Sequence, residues 1–180
     1  MKNDNLRRLI LAALFAALTY VTTNIIHIPT PGTNGYLNLG DCTVLLGAFV
    51  LGPVYGAAAA GIGSMLADLL LGYVAYAPGT LVIKALMAFA AAALFRLLRG
   101  RLHALPAAIL AGVAGELVMV FGYFGFEAVL LGYGPAAAAS IPSNLAQGAL
   151  GIVGSVLLYE ALARVPAIQK AIRANGKEAS

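Results

Sequence analysis

Six apolar runs, most of them long enough to bridge a hydrocarbon layer, occupy nearly the whole chain. A bilayer core about 30 Å thick needs about 20 residues of helix to cross it. In lipid the backbone must also satisfy its own N–H and C=O groups, which a helix does within itself. The runs fall at about residues 6–26, 39–51, 54–71, 78–98, 105–131 and 136–162. Only 10% of the residues are charged, against about 25% in soluble domains, so the chain has too little charge to cover a water-facing surface. The expected fold is an all-α membrane protein of six transmembrane helices. The second run is short and calls for tilt, a kink or shielding by protein. Residues 1–180 read as a single integral membrane domain with its core at about 6–162 and a cytoplasmic tail at 163–180. No separate soluble catalytic domain fits beside it.

The bases set the orientation. Lys2, Arg7 and Arg8 precede the first run, Arg96, Arg99 and Arg101 lie between the fourth and fifth, and Arg164, Lys170, Arg173 and Lys177 follow the sixth. The loops after runs one, three and five carry none. That alternation puts both termini in the cytoplasm. The net charge of +4 is explained by these flanking bases facing an anionic inner leaflet, not by nucleic acid. Cys42 is the single cysteine and His27 and His103 the only histidines, on opposite sides of the membrane. A disulfide within the chain, a metal site and a cofactor are therefore not expected.

Charge at membrane depth is costly and usually faces the interior of the bundle, where it has a partner or a task. With the orientation set, Asp41, Asp68, Lys84, Glu127, Asn144 and Gln147 all fall in the outer half of the membrane, and Glu116 lies nearer the midplane. Glu116, Val120, Tyr123 and Glu127 follow i, i+4, i+7, i+11 spacing and share a helical stripe. Asn144 and Gln147 are i, i+3 neighbours whose amides offer both donors and acceptors. Beside Tyr123 and a carboxylate they could read a small polar heterocycle; alternatively they bond helix to helix. Lys84 with Asp68 or Asp41 is either part of such a site or a buried ion pair. Glu116 and Glu127 are ligand groups, a structural pair or protonated carboxyls. The stretch 27–38, broken by Pro29, Pro31, Gly32 and Gly35, forms an ordered loop or cap over the outer mouth. From it Asn34, Tyr36 and Asn38 could close on a ligand. Tyr73, Tyr76 and Tyr133 belong to the outer interface, with Tyr76 a candidate for the mouth. In the first run Ala12, Ala13, Ala16 and Ala17 form two overlapping small-xxx-small pairs, which admit close approach of another helix, inside the bundle or outside it.

Several segments taken together resemble a known family. They are the alanine pairs of the first run, Gly40-Asp41, Leu51-Gly52-Pro53 with Gly56, and Ala67-Asp68-Leu69-Leu70-Leu71-Gly72-Tyr73. Ile83-Lys84 and Ile141-Pro142-Ser143-Asn144-Leu145-Ala146-Gln147 complete the set. In this order and spacing the chain is similar, over about residues 6–162, to the substrate-binding S component of energy-coupling factor (ECF) vitamin transporters. Within that group it looks most similar to the branch handling hydroxymethylpyrimidine or vitamin B6 compounds. The resemblance implies capture of a vitamin from outside, near the outer surface, by the first loop and spans four to six. It implies docking on a transmembrane T component, through Ala12 and Ala16 with Ala13 and Ala17 beside them, and on two cytoplasmic ATPases. It further implies that the subunit topples in the membrane of a bacterial or archaeal cell to release its cargo inside. The chain carries no phosphate-binding loop of its own, and its lack of tryptophan leaves stacking to Tyr and Phe.

The ligand-binding set read from the sequence is thus Asn34, Tyr36, Asn38, Asp41, Lys84, Glu116, Tyr123, Glu127, Asn144 and Gln147. The alternative function is a stand-alone, proton-coupled secondary transporter of a small polar solute using Glu116 and Glu127, though no inverted repeat is visible. An enzyme is not expected: no Ser/His pair at matching depth, H-E-x-x-H or paired-aspartate motif occurs, and no catalytic residue is assigned.

Overall fold

The computed structural model of the protein describes residues 2–30, 33, 35–162 and 164–165. Asn34 and the tail from 166 onward lie outside the described residues. Six α-helices follow one another: α1 (Lys2–Ile25), α2 (Gly40–Leu51), α3 (Pro53–Leu71), α4 (Ala77–Arg99), α5 (Ala104–Gly125) and α6 (Ile141–Leu162). Five helical stretches are long and apolar enough to cross a membrane; α2, at 12 residues, is not. It rises roughly 18 Å, and all of it except Cys42 is buried because α1, α3, α4 and α6 pack around it.

The bundle is polar within and apolar outside. Leu70 is 69% and Phe121 66% exposed, while Asp41 is 1% and Lys84 3% exposed. In water that would be an unsatisfied surface; in a bilayer it is the arrangement that lipid demands. The sense of α2 reverses at Gly52, whose φ of 82° suits glycine, and Pro53 then opens α3 at a position where its missing N–H is harmless. Beyond this turn α2 and α3 lie so close that a side chain on Gly56 would meet the Ala48 backbone at 2.9 Å.

The two ends of the bundle differ. Toward the end where the bases gather, Phe49, Phe95 and Tyr159 stack with ring centroids 4.7, 5.5 and 6.1 Å apart. They sit among Ala91, Ala92, Ala107 and Ala108, all buried. At the opposite, outer end three departures from helix appear that the apolar pattern did not disclose. Residues 27–38 are not merely a loop: β1 (His27–Pro29) pairs antiparallel with β2 (Tyr36–Asn38), His27 facing Asn38. The fifth run does not continue as α-helix to 131, for Phe126–Leu130 form a π turn, closed by Leu131 N–H on Phe126 O at 3.1 Å. The sixth opens as a 3-10 turn, Gly134–Ser140, before α6. Pro142, the second residue of α6, has no N–H to give back to the preceding turn, so the 3-10 turn ends there and α-helix follows.

Candidate functional site

The outer parts of α1, α3, α4, α5 and α6 and the hairpin meet around one polar cavity. The hairpin is tied down on two sides. Tyr36 Oη donates to Asp68 Oδ1 on α3 at 2.6 Å. Asn38 N–H donates to Gln147 Oε1 on α6 at 2.8 Å, and Thr30 Oγ1 to Ser143 Oγ at 3.3 Å. Asn38 also turns its side chain back to accept the Gly40 N–H at 2.8 Å, which starts α2 directly below the hairpin. The Tyr36 and Tyr73 rings lie 4.5 Å apart at the mouth.

Beneath the hairpin, Lys84 Nζ pairs with Asp41 Oδ1, and Gln147 Nε2 donates to Asp41 Oδ2 at 2.6 Å. One amide thus bridges the hairpin backbone and the ion pair. Lys84 Nζ also stands 5.7 Å from the centre of the Tyr123 ring, a cation–π distance. On the far side Glu127 accepts from Tyr76 Oη at 3.0 Å and from Ser140 Oγ at 2.5 Å. The π turn and the 3-10 turn together bring Glu127 and Ser140 into reach. Thr80 Oγ1 and Tyr123 Oη lie 2.9 Å apart between these two groups.

Of the residues singled out in the sequence, Tyr36, Asn38, Lys84, Tyr123, Glu127, Asn144 and Gln147 line this cavity. Asp41 and Glu116 do not. Asp41 stands behind Lys84 and Gln147 as their counter-group. Glu116 is buried against α6, where side chains on Gly148 and Gly151 would meet its oxygens at 3.1 and 2.6 Å; neither carboxyl oxygen has a hydrogen-bond partner among the described residues. The choice between Asp41 and Asp68 as partner of Lys84 falls to Asp41, because α2 lies against both α4 and α6. The lining also includes Asp68, weighed in the sequence as a partner of Lys84, and groups not singled out there: Thr23, Thr30, Ser64, Thr80 and Ser140. Tyr76, a candidate for the mouth, lines the cavity as well.

Both mouth phenols stay neutral. Burial first, then the negative charge of Asp68, pushes the Tyr36 phenol far above its ordinary value; burial and Glu127 do the same for Tyr76. Each phenol therefore keeps the proton that it donates. The cavity is narrow, with about 30 Å³ in which the centre of a water molecule can sit. A second, wider opening lined by Tyr73, Tyr76, Tyr133 and Thr33 lies outside it.

The four alanines of α1 line an apolar groove against α3. Ala12 is buried and Ala16 half-buried, while Ala13 and Ala17 are exposed. The pairs thus divide between packing on α3 and a face left open to lipid.

A helical bundle with an apolar exterior, a packed inner end and a polar chamber under an outer lid defines a membrane-embedded substrate-binding subunit. The chain belongs to the family described as ECF-type riboflavin transporter, S component, which matches residues 3–164; it is a multi-pass transporter subunit of prokaryotic membranes, not an enzyme. It is 38% identical over 136 residues to an uncharacterized Pyrococcus woesei protein from the gap 3′ region, covering 74% of this chain and 86% of that one. It is 30% identical over 165 residues to the thiamine precursor transporter HmpT of Lactococcus lactis subsp. cremoris, covering 91% and 92%. A structure of the S component of a bacterial ECF transporter superposes with a TM-score of 0.66 at 23% identity, over 91% of this chain and 97% of that one, which shows the shared fold.

Proposed function

We propose that this S component captures a small pyrimidine of the hydroxymethylpyrimidine type at its outer face. It then presents the cargo to a T component and two cytoplasmic ATPases. The observation that carries the reading is the gathering of hydrogen-bonding side chains from α1, α3, α4, α5 and α6 into one cavity beneath a latched hairpin. Small heterocycles are held in this way, by a few convergent polar groups and an aromatic face. Between the two ligands that the resemblance implied, the relative named as a thiamine precursor transporter supports the pyrimidine over vitamin B6. Asn144 is the natural reader of the ring, since it lines the cavity and its amide has no hydrogen bond among the described residues. Lys84 and Gln147 form the floor, with Asp41 behind them as their counter-group. Ala13 and Ala17 offer the flat face on which a T component helix could lie.

Calorimetry on the purified protein with a panel of vitamins and precursors tests this. A hydroxymethylpyrimidine is expected to bind, and Asn144→Ala to weaken it by about 1–3 kcal/mol by leaving a ligand group unpaired. Absence of binding by every heterocycle in the panel overturns the proposal. So does uptake by liposomes that hold this chain alone and a pH gradient, which is the signature of the proton-coupled alternative.

A further inference from the structure

Asp68 lines the cavity from the last turn of α3 and is 3% exposed. Its Oδ1 accepts from Tyr36 at 2.6 Å. Its Oδ2 is buried and has no hydrogen-bond partner among the described residues. Buried carboxylate oxygens are rarely left so, because the desolvation cost is not recovered. The other charged groups of the lining are already matched. Lys84 is held by Asp41, and Glu127 takes hydroxyls on both oxygens. The lining therefore carries two carboxyl groups against one ammonium, and that ammonium is neutralised by a third carboxylate behind the wall. Its open valence is a buried acidic oxygen at the cavity wall, with the Thr80 hydroxyl close to the same carboxyl and Tyr123 Oη 2.9 Å from Thr80 Oγ1.

We infer that Asp68 sets ligand specificity by pairing with an amidine-type edge, a ring nitrogen beside an exocyclic amino group, in preference to a carbonyl edge. This deepens the pyrimidine reading and rests on it. An ionised carboxyl group matches such an edge. It accepts two N–H bonds, one from the protonated ring nitrogen on Oδ2 and one from the amino group on Oδ1, which has a second lone pair beside the Tyr36 bond. A flavin ring offers the reverse pattern, one N–H flanked by two carbonyls, and would set acceptor oxygens against an acceptor. Sites built to hydrogen-bond a group reject analogues lacking it far more strongly than apolar pockets reject a changed shape.

The test uses the full chain in lipid nanodiscs and calorimetry with three probes: 4-amino-5-hydroxymethyl-2-methylpyrimidine, its 4-oxo counterpart, and riboflavin. The native protein is expected to prefer the amino probe by at least tenfold. Asp68→Asn keeps an acceptor for Tyr36 but presents an amide donor, and should bring the amino-to-oxo ratio to about one or reverse it. Asp68→Glu retains the carboxyl and should keep the preference at lower affinity. Tyr36→Phe should weaken both pyrimidines without changing their ratio. An amino-to-oxo ratio near one in the native protein, or one unmoved by Asp68→Asn, overturns the role of Asp68 and leaves pyrimidine capture standing. A Glu variant that treats the two probes alike overturns it even where the Asn variant does not fold. Riboflavin binding with refusal of both pyrimidines overturns this inference and the pyrimidine reading together.

Discussion

The outer and inner halves of the bundle solve opposite problems with the same six helices. Toward the bases, Phe49, Phe95 and Tyr159 interlock among alanines, and the helices are held by shape alone. Toward the mouth the same helices are separated by Lys84, Asp41, Gln147, Glu127 and Asp68. There they are held by hydrogen bonds that cannot relax independently. The inner half has partner atoms on every side, as a close-packed core requires. Among the described residues the outer half carries the unpaired Asp68 Oδ2 and a narrow void. That unfilled space is where we propose that the cargo binds.

Substitutions at the two ends test this division. Phe95→Ala removes a buried ring from the inner cluster and should cost about 3–5 kcal/mol of stability, read as a lower unfolding temperature in detergent. Ligand affinity at temperatures where the variant is folded should be retained. In the outer half, Lys84→Ala strands the Asp41 carboxylate and should cost about 3 kcal/mol while abolishing tight binding. Adding Asp41→Asn should restore most of the stability and little of the affinity; equal recovery of both would mean that the pair is only structural. Tyr36→Phe removes one hydrogen bond between hairpin and α3, and should lower stability by about 0.5–1.5 kcal/mol. Its larger effect should be on ligand dissociation followed by stopped flow. The smallest expected effect is that of alkali. The Tyr36 and Tyr76 phenols are raised on folding, so their contribution to stability is complete below the ordinary phenol value near 10. It is lost only as pH climbs through the higher folded values. Binding measured from pH 8 to 10 should be flat, and a fall across that window would show a phenol ionising at the mouth.

The division was partly legible in the sequence. Lipid tolerates few arrangements of backbone and charge, so the helical spans and the outward clustering of Lys84, Glu127, Asn144 and Gln147 could be read from position alone. The structure brings these four to one cavity. What escaped depended on packing or on weak local signals. Three-residue strands broken by proline are too short to show alternation, so the hairpin read as a loop. The π turn at Phe126–Leu130 leaves the apolar pattern unbroken while changing where Glu127 points. Thr and Ser hydroxyls inside helices can satisfy themselves on their own backbone, as Thr22 does on Leu18 O at 2.9 Å. A hydroxyl in an apolar run therefore carries no mark distinguishing a lining residue such as Thr80 from an idle one. That Lys84 takes Asp41 over Asp68 follows from the burial of α2 at the centre, which spacing does not disclose.

The aromatic cluster at the base has a consequence for traffic. With that end stoppered, the cargo we propose would have to leave by the mouth through which it entered. Loading and unloading then share the same threshold, with the Tyr36 latch set across it. A sequence change that eases arrival there also eases departure, so retention and delivery cannot be tuned separately at that hinge.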